Sequence, residues 1–100
     1  MARIIWTEPA LQELDEIADY ISLDNPIAAK NLVRAAFKRV DYLAEHPKSG
    51  KLVDEFDVSV YREIVLPPCR IFYRTDDNIV YIIHLIREEQ NLHIDILKSR

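Results

Sequence analysis

The chain has 100 residues and a net charge of −4, with 49% hydrophobic and 30% charged positions. That size sets one domain with one core, burying about 60–70% of the unfolded surface. The negative balance argues against a protein that grips nucleic acid through a bulk positive field, so no direct nucleic-acid binding is expected. Cys69 is the single cysteine, which excludes an internal disulfide and a multi-cysteine metal site and fits a reducing compartment. No stretch reaches the roughly 18 apolar residues of a membrane span, and Met1 to Trp6 has no signal-peptide run. A cytoplasmic protein without membrane contact is the expectation.

Arg3 to Thr7 reads as a first strand. Thr7 then stands at a helix N-cap, its hydroxyl placed to accept a first-turn N–H. Glu8 suits the positive end of the helix dipole and Pro9 the first turn. Ala10, Leu14, Ile17, Ala18 and Ile21 form one apolar stripe at helical spacing, widened by Leu11. Glu13, Asp15, Glu16 and Asp19 make an acidic side, read as solvated. Leu23-Asp24-Asn25-Pro26 is a short connection in which Asp24 or Asn25 caps and Pro26 takes the first helical position. The second helix is expected from about Pro26 to Glu45, packed antiparallel on the first. Its stripe is Ala29, Val33, Ala36, Val40 and Leu43, flanked by Leu32 and Phe37, and Ala28, Ala29, Ala35 and Ala36 permit close approach. Lys30, Arg34, Lys38 and Arg39 give it a basic side, and exposed ion pairs to the first helix would contribute only about 0–1 kcal/mol. His46 to Lys51 stops this helix, with Gly50, the one glycine, expected in a positive-φ turn. Lys51 to Ser59 reads as loop.

From Tyr61 to Arg87 three runs of β-branched and aromatic residues are separated by Pro67-Pro68 and by Asp76-Asp77-Asn78. They predict three consecutive antiparallel strands. In the second run Cys69, Ile71 and Tyr73 suit a helix-facing core, and Arg70, Phe72 and Arg74 the other face. In the third run both alternating sets are apolar: Ile79, Tyr81, Ile83, Leu85 and Val80, Ile82, His84, Ile86. Such a strand is covered on both sides. The helical hairpin supplies one cover. The second cover is either the following segment of this chain or a partner. In the partner case, apolar side chains such as Val80, Ile82 and Ile86, with the arginines, make a docking surface. Glu88 to Arg100 alternates from Leu92 to Ile96 like an extended segment, while Leu92/Ile96 and His93/Leu97 also fit a short helix; both readings stand. The fold class is α+β, in the order β-α-α-β-β-β, with the hairpin on one face of an antiparallel sheet.

His46, His84 and His93 lack metal-ligand spacing, and there is no glycine-rich phosphate loop, so neither metal nor cofactor is expected. Cys69 beside Arg70 could have a lowered thiol pKa, but a small core residue is the plainer reading. The remaining constellation is Arg62, Arg70, Arg74, His84 and Arg87, with Phe72 between the arginines. Guanidinium forks suit carboxylate or phosphate, and an imidazole beside them could move a proton. The competing reading pairs Arg70 and Arg74 with Glu63, Asp76 or the terminus and leaves His84 hydrogen-bonded and inert; the spacing leans that way.

The order of pieces resembles the RelE/ParE toxin superfamily of type II toxin–antitoxin systems, and within it the ParE branch. The matching residues are Trp6-Thr7 with Ala10, Leu14-Asp15-Glu16-Ile17, Tyr20-Ile21, Asp24-Asn25-Pro26 with Ala28-Ala29, His46-Pro47-Lys48-Ser49-Gly50-Lys51, Arg62-Glu63-Ile64 and Cys69-Arg70-Ile71-Phe72-Tyr73. The resemblance implies a small toxin that inhibits DNA gyrase and is neutralised by a ParD-like antitoxin. The RelE branch implies instead a ribosome-dependent mRNA endoribonuclease, for which Arg70, His84 and Arg87 are the catalytic candidates; a non-toxic, antitoxin-binding member is a further alternative. Here the family pattern His-x-Arg-Arg becomes His84-Leu85-Ile86-Arg87-Glu88-Glu89. Two glutamates beside the arginine disfavour phosphate handling, which points to the gyrase-type, non-enzymatic reading. Arg62, Arg70, Phe72, Arg74, His84 and Arg87, with Leu92 and Ile96 beyond them, are the expected partner contacts.

Overall fold

The computed structural model describes residues 1–53, 55 and 60–100. Strand β1 (Arg3–Trp6) leads into helix α1 (Glu8–Ser22) and helix α2 (Pro26–Asp41), the latter prolonged by a 3₁₀ turn at Tyr42–Ala44. Four strands follow: β2 (Lys51–Leu52), β3 (Tyr61–Leu66), β4 (Cys69–Asp76) and β5 (Ile79–Arg87). A short helix α3 (Ile94–Lys98) comes last. The five strands form one sheet in the order β1-β5-β4-β3-β2. All neighbours are antiparallel except β1 and β5, which run parallel with Arg3 opposite Ile79 and Trp6 opposite Ile82.

The helical hairpin forms where its signals stand. The Asn25 side chain accepts from the Ala28 N–H at 3.0 Å, and Pro26 opens α2. Thr7 does occupy the N-cap of α1, but its hydroxyl makes no cap bond. It donates instead to the Ile82 carbonyl at 2.8 Å, tying the start of α1 to β5. Ala10, Leu14 and Ile17 of α1 and Leu32, Ala36 and Val40 of α2 pack on Ile71, Tyr73, Val80, Ile82 and Leu85. Ala10 and Ala36, at 0% and 1% exposure, are the small residues of that layer. Among the described residues no ion pair joins α1 to α2.

Gly50 takes no positive φ; that conformation falls on Asp77 (φ 52°), in the β4–β5 turn. Gly50 is needed for space. A Cβ there would lie 2.6 Å from Cε1 and 2.8 Å from Cζ of Tyr73, whose ring is fully buried. The Tyr73 hydroxyl accepts from the Gly50 N–H at 2.8 Å and donates to the Pro47 carbonyl at 2.9 Å. Lys51 and Leu52, expected as loop, pair with Glu63 and Arg62 as a short edge strand. Positions 54 and 56–59 of that expected loop lie outside the described residues.

Two-sided burial of β5 holds, but not its simple alternation. Phe72 pairs with His84 while Tyr73 pairs with Ile82, so Ile83 is an extra residue on β5. A bulge of this kind shifts the period. Val80, Ile82 and Leu85 therefore share the helix side, whereas Ile83 and Ile86 join Val53, Tyr61 and Phe72 on the other. This second face is roofed by the chain's own following segment: Leu92 and Leu97 close the cluster, at 9% and 1% exposure. The open docking surface on the sheet is thus not there. The segment is helical at 94–98 rather than extended.

Candidate functional site

Parallel pairing with β1 ends at Ile82, which leaves the second half of β5 without a strand on that edge. Helix α1 runs beside that edge, and Glu13 fills it. The Glu13 carboxylate accepts from the Leu85 N–H at 3.1 Å and stands 2.9 Å from Nδ1 of His84. Arg100 reaches the same point. Its Nη1 lies 2.7 Å from Glu13 Oε1 and 3.0 Å from the Ile83 carbonyl, with His84 Nδ1 at 2.9 Å. A carboxylate only accepts, so the Nδ1 proton points at Glu13, and the two Nη1 hydrogens of Arg100 go to Glu13 and the Ile83 carbonyl. Burial by itself raises the Glu13 pKa, but hydrogen bonds from His84, Arg100 and the Leu85 amide outweigh it and hold the group below the usual carboxylate value. His84, 3% exposed, stacks on Phe72 with ring centroids 5.8 Å apart.

An open groove of about 670 Å³ borders this cluster. Glu16 and Tyr20 of α1, Arg87 of β5, and Glu89, His93 and Ile96 of the following segment line it. Arg87 lies over the Tyr20 ring at 4.5 Å, and its Nε pairs with Glu89 at 3.2 Å.

The other arginines stand apart from this groove and are engaged internally. Arg70 donates from Nε to Glu63 at 2.7 Å and from both terminal nitrogens to Glu55, at 3.0 and 2.7 Å. Glu55 first, and Glu63 with it, raise the Arg70 pKa against the opposing effect of burial. Glu63 is itself 5% exposed, and Arg70 also lies over the Phe72 ring at 4.9 Å. Arg62 donates to the Gly50 carbonyl at 2.8 Å. Arg74 lies over the Tyr81 ring at 4.4 Å and, among the described residues, pairs with no carboxylate; the expected Asp76 partner is not used. Burial first, and then Glu88 and Glu89, push the Cys69 thiol up to about 11, so it is an inert core group rather than an activated one.

The expected constellation therefore splits. His84, Arg87 and Ile96 meet at the groove; Arg62, Arg70 and Arg74 lie on β3 and β4; Phe72 and Leu92 are core. Glu13 and Arg100 were not expected. Glu13 was assigned to a solvated acidic side, yet it follows Ala10 by three and precedes Ile17 by four. That spacing sets it on the rim of the buried stripe. Among the described residues no group of three or more His, Cys, Asp or Glu is placed to share a metal ion. No helix among them is long and apolar enough to cross a membrane.

Residues 4–92 match the family described as the ParE toxin of the type II toxin–antitoxin system parDE. The protein named Toxin RelE2 of Caulobacter vibrioides is 36% identical over 86 residues, spanning 85% of this chain and 93% of that one. Among solved structures, a chain of the chromosomal ParDE system from P. aeruginosa superposes with a TM-score of 0.72 at 26% identity, covering 89% of this chain and 98% of that one. A chain of the toxin–antitoxin complex RelBE2 from Mycobacterium tuberculosis shares the fold at 20% identity, with a TM-score of 0.59 and 87% and 98% covered. With the hairpin, the sheet and the His84 strand all inside the matched span, the chain belongs to the ParE toxin family of type II toxin–antitoxin systems.

Proposed function

We propose that the chain is a binding toxin of the cytoplasm that inhibits DNA gyrase, does no chemistry of its own, and is neutralised by a ParD-like antitoxin. The observation that carries the non-enzymatic reading is Arg70. All three of its guanidinium nitrogens bond to carboxylates, so its fork is already filled by the protein's own anions. Arg87 pairs through Nε alone with Glu89, in a groove that also holds Glu13 and Glu16. An incoming phosphate would have to displace those carboxylates and sit among the rest. The solved ParDE relative supports an antitoxin partner, and the apolar side chains still exposed give it a place. Leu23 and Ile27, at 81% and 73% exposure, flank the α1–α2 turn. Beside them runs a shallow groove of Ile21, Ala28, Leu32, Leu66 and Pro67-Pro68. An amphipathic segment of the antitoxin fits such a surface.

The test compares two reactions. Purified chain should inhibit supercoiling of relaxed plasmid by gyrase, relieved by an equimolar cognate antitoxin, and should leave mRNA intact on translating ribosomes. Cleavage of that mRNA with no effect on gyrase would replace this reading with the endoribonuclease one. One observation favours that second reading: His84 is oriented through Nδ1 by Glu13, as a proton-transferring imidazole requires. In that case Arg87→Ala, Arg70→Ala and His84→Ala should each abolish cleavage. Normal growth on expression without antitoxin, with neither reaction, would indicate a non-toxic member.

A further inference from the structure

The segment 88–100 is held down by few attachments. A helix of five residues has no stability of its own, because nucleation costs more than so few hydrogen bonds return. Its bonds are local: the Ile96 N–H to the His93 carbonyl at 3.1 Å and the Ser99 N–H to the Asp95 carbonyl at 3.1 Å. Of its side chains, Leu92 and Leu97 enter the second cluster, Ile94 packs against it, and Ile96 is partly exposed. The polar attachments near its start are the Glu88 N–H, which donates to the Pro68 carbonyl at 2.8 Å, Glu89, which pairs with Arg87, and the Gln90 side chain, which accepts from the Arg87 N–H at 2.8 Å; Arg100 attaches its end. Within 92–100, and among the described residues, Arg100 is the polar attachment that crosses to another element. Its guanidinium bridges Glu13 on α1 and the Ile83 carbonyl at the β5 bulge.

We propose that Arg100 and Glu13 form a latch, and that the segment 92–100 is a releasable cover over the second sheet face, seated by Leu92 and Leu97 and locked at its end by this charge pair. Three elements converge on the Glu13 carboxylate: α1 carries it, β5 supplies the His84 ring and the Leu85 amide, and the cover supplies Arg100. Other charged groups of the groove, Glu16, Arg87, Glu89 and His93, line it without a hydrogen bond to Glu13. Removing the Arg100 side chain takes away the one ionic tie that 92–100 makes among the described residues and leaves Glu13 bonded to His84 and Leu85. Release then uncovers Phe72, Ile83 and Ile86, an apolar face otherwise closed. The latch makes that face conditional: open to an apolar segment only when Glu13 loses Arg100.

Amide hydrogen exchange of the whole chain at neutral pH tests this. In Arg100→Ala, exchange at Ile96 and Ser99 should speed up at least tenfold, while Phe72 and Tyr73 on β4 keep wild-type protection. Glu13→Gln should speed the same two amides, and the double variant should add nothing beyond the larger single effect, because both remove one interaction. Binding of a hydrophobic dye should rise in step. Unchanged protection at Ile96 and Ser99 in Arg100→Ala would overturn the latch. Equal acceleration at Phe72 and Tyr73 would also overturn it, since the pair would then stabilise the whole fold rather than a cover. Arg100 is a partly exposed surface residue, so Arg100→Ala folds and the comparison remains decisive even if Glu13→Gln is strongly destabilised.

Discussion

Glu13 shows how one side chain can couple acidity to stability. Its folded pKa is depressed, so its contribution is fully present above the unfolded value and is lost as pH falls through the folded one. Urea-unfolding free energy should therefore decline on acidification below the ordinary carboxylate pKa. Glu13→Gln should be less stable at pH 7 by about 1–2 kcal/mol, the scale for weakening hydrogen bonds to a partly buried charged group. The variant should also show a shallower acid slope over that range; an unaltered slope would remove the assignment. Gly50 makes the second residue-scale case. Gly50→Ala drives a methyl into the Tyr73 ring, which is fully buried and hydrogen-bonded at its hydroxyl. Overpacking of this kind costs about 1–3 kcal/mol, or roughly 4–8 °C of Tm per kcal/mol in a chain of this size, measurable by calorimetry. Neither role was fully legible in the sequence. A glycine needed for room looks the same as one needed for a turn, because the crowding ring comes from Tyr73, far along the chain. For Glu13 the spacing to Ala10 and Ile17 was available, but its donors come from β5 and Arg100.

At the level of elements, local signals were reliable where the cause is local. Asn25-Pro26 marks the start of α2 by itself, and Asn25→Ala should cost about 1 kcal/mol, seen as a lower thermal midpoint with an unchanged folded spectrum. Period-two patterning located β3, β4 and β5, and the sidedness of β4 followed from it. What the pattern could not carry was the bulge at Ile83, since an all-apolar run looks the same before and after a one-residue shift. The two-residue strand β2 is too short to have a period at all. The parallel partnership of β1 and β5 was also invisible, because pairing between distant strands leaves no mark on either one. The segment after β5 fitted two periods equally. Burial of Leu97 on the sheet decided it.

For the molecule as a whole, both sheet faces are covered from within while the segment 92–100 is seated, so in that closed form a partner meets what remains outside. Leu23 and Ile27 are the test positions. Aspartate at either should leave the free chain within about 0.5 kcal/mol of wild type, since neither is buried. It should weaken the proposed antitoxin complex at least tenfold by calorimetric titration; unchanged affinity would move the interface elsewhere. The parallel seam between the first and last strands has a further consequence during synthesis. Thr7 closes onto Ile82, 75 positions later. At about 5–20 residues per second, the ribosome needs roughly 4–15 s to supply that second half. Until then β1 has no edge to join and the hairpin has no sheet beneath it. A chain built this way cannot close its sheet until synthesis is nearly done, and any partner already present meets the open hairpin first.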